Sequence, residues 1–215
     1  GGIPIVISWH WPSGHLAVHE RTINGEPVVF ANCGIAGNGC LIMYPMQEEQ
    51  GGEQLFSPVL SQSVSGSKVS LIPVPHEVTS WANWTATHPM TTCIKPDASY
   101  KKRYRKSDPK AYFLNDTIYF PALPMPVDAI NPKTAIIAIT TRNGHAVYAI
   151  DSFLDMLDAE GKTEIIVDEQ IVIISASETP LYATAHSNDG SVVQNCRALW
   201  FAWHANHPED LLLKP

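Results

Sequence analysis

Charged side chains are scarce in this sequence: Asp, Glu, Lys and Arg make up 16% of its 215 residues, well under the usual quarter or so. A surface so poor in charge must be covered by Ser, Thr, Asn, Pro and backbone, or by partners, because interface centres are depleted in charge. The charge that remains is acidic overall, −7. That balance excludes a general nucleic-acid binder, which needs clustered cations to displace phosphate counterions. No apolar run approaches the roughly 18 residues that a membrane-spanning helix requires, so no transmembrane segment is expected.

Cysteine is equally sparse. Cys33, Cys40, Cys93 and Cys196 are too few to staple a chain of this length. None forms a C-x-x-C pair, and C-x-x-C-H for covalent haem is missing. They read as small buried hydrophobes, with one disulfide open to them in an oxidising compartment. Glycine-rich phosphate loops, the G-x-S-x-G elbow and H-E-x-x-H are absent as well. The readily recognised nucleotide-binding, hydrolase and zinc-protease classes are thereby removed, and no cofactor is expected.

What the chain does have is proline, 17 of them, and short β-branched runs between turn residues, which favours strands over helices. Ile3-Pro4-Ile5-Val6-Ile7 opens as a strand and runs into a turn at Pro12-Ser13-Gly14. Asn24-Gly25 and Asn143-Gly144 are hairpin signals, and Asp168-Glu169-Gln170 separates two apolar runs. Val69 to Val74 reads as an edge strand, because Pro73 has no N–H to donate. A short helix is expected after Thr79 or Ser80 as N-cap, another at Phe153-Leu154-Leu157, and a third from near Arg197 to His207-Pro208. Residues 95–126, rich in Tyr and Pro, read as an ordered crossing segment pinned by aromatics.

One string occurs twice. Trp81-Ala82-Asn83-Trp84 followed by His88-Pro89 matches Trp200-Phe201-Ala202-Trp203 followed by His207-Pro208, and 200 − 81 = 119 residues separate them. Internal duplication is the economical reading. The expected fold is α+β, mainly antiparallel β with about three short helices, as one domain of two pseudo-repeated halves sharing one core. The half-repeats span about 1–94 and 131–210, joined by a connecting segment at about 95–130.

With these elements placed, the chain resembles a prokaryotic domain-of-unknown-function family, number 3179, whose members are often labelled "(seleno)protein". The likeness runs from about Thr22 to Pro208 and rests on five strings in order. Thr22-Ile23-Asn24-Gly25-Glu26-Pro27-Val28-Val29 is similar to the family's T-I-G-G-x-P-V-x-V strand, and Leu41-Ile42-Met43-Tyr44 to its L-x-M-Y strand. Thr79-Ser80-Trp81 through His88-Pro89, the Tyr100, Tyr104, Asp108-Pro109 and Tyr112 spacing, and the closing Trp200-Phe201-Ala202-Trp203 with His207-Pro208 complete the set. The family's Y-C-P-x-C-G dithiol is incomplete here: Cys33 stands at the first sulfur and Ala36 at the second. Its H-E-x-x-N-D string is also disrupted, since this chain reads His15-Leu16-Ala17-Val18-His19-Glu20-Arg21. The resemblance implies a relative whose chemical motif has decayed.

The candidate sites follow from these strings. Cys33 with Cys40 as resolving thiol would make a redox pair if the glycine loop between them folds back. His15 and His19 are four apart, so a metal set of His10, His15 and His19 is conceivable on a helix. Pro12 and Gly14 argue against a helix there, and ordinary surface or capping histidines are the plainer reading. Lys101, Lys102, Arg103, Tyr104, Arg105 and Lys106 concentrate five of the 14 basic residues. They read as a solvated loop or as a docking patch for an acidic partner or anionic lipid headgroups. Trp81, Trp84, Trp200 and Trp203 are expected to anchor their helices to a sheet, with the rings of His88 and His207 each bonding the end of its own helix. The expected function is a non-catalytic, extracytoplasmic binding or accessory subunit. It would stand with other protein subunits in a membrane-associated assembly, on the periplasmic or extracellular face. The chain begins at Gly1 rather than Met, which fits a removed leader or anchor. The alternatives are a thiol redox protein and a histidine-based metal-binding domain.

Overall fold

Runs of Ile, Val and Ala become antiparallel strands in the computed structural model, which describes residues 2–46, 54–95, 99 and 109–215. The first stretch holds β1 (Ile5–His10), a 3-10 turn (Trp11–Ser13), β2 (His15–Glu20), β3 (Thr22–Ile23) and β4 (Glu26–Pro27). It continues with β5 (Val29–Gly37), β6 (Cys40–Met46), β7 (Phe56–Ser57), β8 (Gln62–Ser63) and helix α1 (Trp81–Thr87). After α2 (Lys110–Phe113) come β9 (Ala135–Thr141), β10 (Gly144–Ala149) and a 3-10 helix (Ile150–Met156). The chain closes with β11 (Lys162–Val167), β12 (Gln170–Glu178), β13 (Leu181–Ser187), β14 (Asn195–Leu199), α3 (Trp200–Asn206) and β15 (Leu212–Leu213). The fold is α+β and mainly antiparallel β, as expected.

Six strands form the central sheet in the order β1-β2-β14-β9-β10-β15. Beside it stand a meander of β11-β12-β13 and a sheet of β5-β6-β7-β8. Strand β9 is buried on both faces, which is why its sequence is a continuous apolar run rather than an alternation. Ile136 and Ala138 face α3, while Ile137 and Ile139 face the meander and Phe153. Three apolar clusters result. The first joins Cys40 and Val59 from the early strands to α3, β9 and β14, and takes in Tyr112 and Ala122 from the connecting segment. A second lies between the central sheet and the meander, and a third packs Met43, Phe56 and Leu71. The two stretches thus share one cluster and each adds one of its own. The connecting segment is pinned by Tyr112, whose hydroxyl donates to the Pro12 carbonyl at 2.7 Å.

The turn residues behave as their chemistry dictates. Asn24 and Gly25 (φ 52° and 84°) and Asp168 and Glu169 (φ 50° and 64°) carry the left-handed conformations of tight hairpins. The β9–β10 turn differs by one residue: Gly144 pairs with Thr141, so Arg142 and Asn143 form the loop. Arg197, expected at a helix start, lies in β14 opposite Ile137. The pairing with β9 overrides the helix propensity of its Ala and Leu neighbours.

Helix α1 is a larger departure. Ser80 caps it as expected, its hydroxyl accepting from the Asn83 N–H at 3.1 Å. None of its residues is buried, however, and Trp81 is 58% exposed. Trp81 and Trp84 therefore do not anchor a buried helix, whereas Trp200 and Trp203 are both fully buried.

Candidate functional site

The central sheet forks at β2. Beyond the single pair Arg197↔Leu16 that joins it to β14, β2 turns to residues 72–74 instead. Glu20 N–H donates to the Ile72 carbonyl and Val74 N–H to the Val18 carbonyl, each at 2.8 Å, around the His19↔Pro73 bridge. Pro73 falls where no N–H is called for. A cavity of about 240 Å³ opens at the fork, walled by Ala17, His19, Gln194, Cys196, Thr140 and His145 and closed by Trp203, His207 and the 58–61 loop.

Histidines converge on this side of the sheet. His15, Ala17 and His19 share a face of β2 because side chains alternate along a strand, and His10 is the cross-strand partner of His15. His15 and His19 are each 1% exposed, so they are neither surface nor capping residues. His19 Nε2 meets the Ser61 hydroxyl at 2.9 Å. Its Nδ1, like His15 Nε2 and Gln194 Oε1, is buried with no hydrogen-bond partner among the described residues. Burial pushes the His15 pKa down to about 3, helped by repulsion from His19 and other nearby histidines, and that of His19 to about 4. Both rings are neutral at physiological pH, the form that binds metals.

Opposite them, His145, His207 and Asp210 form the tightest group of ligating side chains among the described residues, with one ligand atom from each lying within 4.8 Å of the others. Asp210 Oδ2 accepts from His145 Nδ1 at 3.0 Å and from Trp203 Nε1 at 2.9 Å. The His207 ring stacks on Trp203 at 4.2 Å, and its Nε2–H donates to the Val59 carbonyl at 3.0 Å. The Val59 bond leaves the lone pair on His207 Nδ1, and an ion held jointly by His145 and Asp210 would replace the proton of their hydrogen bond. Burial also lowers the His207 pKa, reinforced by His145 and opposed by the Val59 bond and Asp210.

The residues singled out from the sequence fall variously around this cavity. His19 and His207 line it and His15 lies beside it in β2, whereas His10 turns its Nδ1 to the Ser13 hydroxyl at 2.8 Å. His10, His15 and His19 thus share a face of the sheet but do not form the tightest ligand group. The His207 ring bonds Val59 rather than its own helix; the His88 ring stacks on Trp84 at 3.9 Å and contacts Thr87 Oγ1. Cys40 pairs with Gly37, while Cys33 sits in the bulge between Asn32 and Ala36 and donates to the Ile42 carbonyl at 3.1 Å. All four thiols are free. Burial pushes Cys40 up to about 12, against a hydrogen bond with Ser13, so this thiol stays protonated and makes a poor resolving nucleophile. Lys101, Lys102, Arg103, Tyr104, Arg105 and Lys106 lie outside the described residues.

His145 and Asp210 had not been singled out. The available signal was Asp210 itself, seven residues after Trp203, where Thr91 follows Trp84 at the same distance. Thr91 accepts from Trp84 Nε1 at 2.8 Å just as Asp210 accepts from Trp203.

Compared with known proteins, the chain matches a family described as "Protein of unknown function (DUF3179)" over residues 1–210, extending the likeness read from the motifs back through β1 and β2. No curated protein and no solved structure matches it. A match over nearly the whole length decides the family question: this chain belongs to the family of unknown function numbered 3179.

Proposed function

We propose that the chain is a metal-binding domain holding one divalent ion of the zinc class through His145, His207 and Asp210. The observation that carries this reading is the clustering of two cavity-lining imidazoles, His145 and His207, with the Asp210 carboxylate, one ligand atom from each lying within 4.8 Å of the others. Imidazole and carboxylate donors suit zinc, iron and their neighbours. Metal–ligand bonds of about 2.1 Å require the trio to draw together by roughly 1 Å on loading. Three protein ligands leave a coordination position toward the cavity, where His19 and Gln194 offer polar atoms to whatever occupies it.

Cobalt(II) titration of chelator-stripped protein tests this. The expected result is a visible absorption band saturating at one equivalent, lost in His207→Ala and retained in His88→Ala. Absence of stoichiometric binding by the unmodified protein sinks the reading.

A second reading, an extracytoplasmic accessory subunit within a larger membrane-associated assembly, is favoured by a different observation. Ile3, Ile5, Ile7 and Trp9 alternate along β1 and its approach, 59%, 43%, 64% and 67% exposed, at an end of the central sheet. An apolar edge strand left open invites pairing with another chain, and such an edge suits a partner that adds a strand. Native mass spectrometry of the protein from its own cells, with Ile7→Lys as the disrupting variant, tests it. A monomer that gains no partner argues against this reading while leaving the metal site untouched.

A further inference from the structure

The opposite face of the central sheet carries a second, unrelated concavity. Trp9, Leu16, Arg197 and Ile137 stand in one cross-strand row through β1, β2, β14 and β9. Over the Trp9 end of that row lies a groove of about 660 Å³, walled chiefly by Trp9, Trp11, Leu16, Phe113 and Leu199, with Arg197 also lining it. Its volume is that of a small-molecule site, about 300–1,000 Å³. Trp9 is 67% exposed, Phe113 47% and Trp11 36%, so its rim leaves aromatic surface in water.

Arg197 is the anomaly. A guanidinium keeps its charge in proteins, and a charge taken out of water is ordinarily paired. Among the described residues no carboxylate, carbonyl or aromatic face meets this one: the ion pairs are those of His145 and His186, and the cation–ring contact is that of Lys133. Burial alone pulls its pKa down, with no opposing anion. A partly buried cation with no partner among the described residues, set among apolar walls, suits an anion that brings an apolar body with it.

We propose that this groove binds an amphiphilic carboxylic acid, its carboxylate held by two parallel hydrogen bonds from Arg197 and its apolar portion lying against Trp9, Trp11 and Phe113. The planar guanidinium fork matches a carboxylate. Among the groove's described lining residues Arg197 is the one cation, and a lone arginine suits a carboxylate better than a phosphate, which recruits several donors.

Calorimetric titration with decanoate and with decan-1-ol, both below their aggregation limits, tests the proposal. Decanoate is expected to bind at one site at least ten-fold tighter than the alcohol. Arg197→Gln should abolish that preference, and Phe113→Ala should weaken both ligands. Equal affinity for the two ligands on the unmodified protein overturns the proposal and needs no variant to fold. A decanoate preference that survives in Arg197→Gln, or an affinity unmoved by Phe113→Ala, overturns it too.

Discussion

The two copies of the Trp-x-x-Trp-x-x-x-His-Pro string fold into the same hook and serve different environments. In both, the His backbone N–H caps the helix by donating to the second Trp carbonyl at 2.8 Å. The cap dihedrals agree, φ −127° and ψ 65° at His88 against −133° and 67° at His207. Both imidazoles stack on that Trp, and both indoles donate to the residue seven positions on. Yet α1 buries none of its residues while α3 buries five. The seventh residue is the Thr91 hydroxyl in one and the Asp210 carboxylate in the other. Local sequence therefore makes the hook, and what packs around it decides whether it is an exposed ornament or one wall of a ligand site.

The largest expected difference is in stability. Trp203→Ala should cost about 3–5 kcal/mol, the range for truncating a buried aromatic, whereas Trp81→Ala should stay within about 0.5 kcal/mol. Equal losses in urea unfolding would break the comparison. Acid comes next. His15 and His19 have folded pKa values of about 3 and about 4, below the ordinary 6.5, so the unfolded state binds more protons. Stability of the metal-free protein is then greatest above pH 6.5 and falls as pH drops, by on the order of 3 kcal/mol for each ring at pH 4. Urea midpoints between pH 4 and 7 measure this, and His19→Gln should flatten the slope by its share.

Exchanging the seventh residue sharpens the comparison. Asp210→Thr gives the second hook the first one's acceptor, so folding should change by no more than about 1 kcal/mol. Cobalt affinity should fall at least 100-fold, about 2.7 kcal/mol. The smallest effect concerns the helix starts. Ser80→Ala should cost about 1 kcal/mol, the worth of a capping hydroxyl, read as faster amide exchange across α1. Helix α3 has no side-chain cap at Leu199 and is held by packing instead.

Much of this architecture was legible because its signals are local. Asn24-Gly25, Asp168-Glu169 and Ser80 act within a few residues of themselves, and both hooks follow from their own strings. What stayed hidden depends on contacts far along the chain. Residues four apart share a face on a strand as well as on a helix, so the His15/His19 spacing could not choose between them, nor reveal that both are buried. Arg197 sits among good helix formers, and only pairing with β9 makes it strand. His145 and Asp210 are 65 residues apart, and nothing local marks them as a pair.

The fork in the central sheet also bears on when this protein can finish folding. Its β1–β2 hairpin meets β14 through Leu16 and Arg197, and 197 − 16 = 181 residues separate them. Closing so long a loop is entropically costly before any contact rewards it, and such distant pairing slows folding. At synthesis rates of roughly 5–20 residues per second, the hairpin waits about 10–40 s for its neighbour to be made. Throughout that interval Ile5, Ile7 and Trp9 face water alongside the face that will become the histidine cavity. A nascent chain held short of β14 should therefore be a good client for chaperones, and one extended past β15 a poor one.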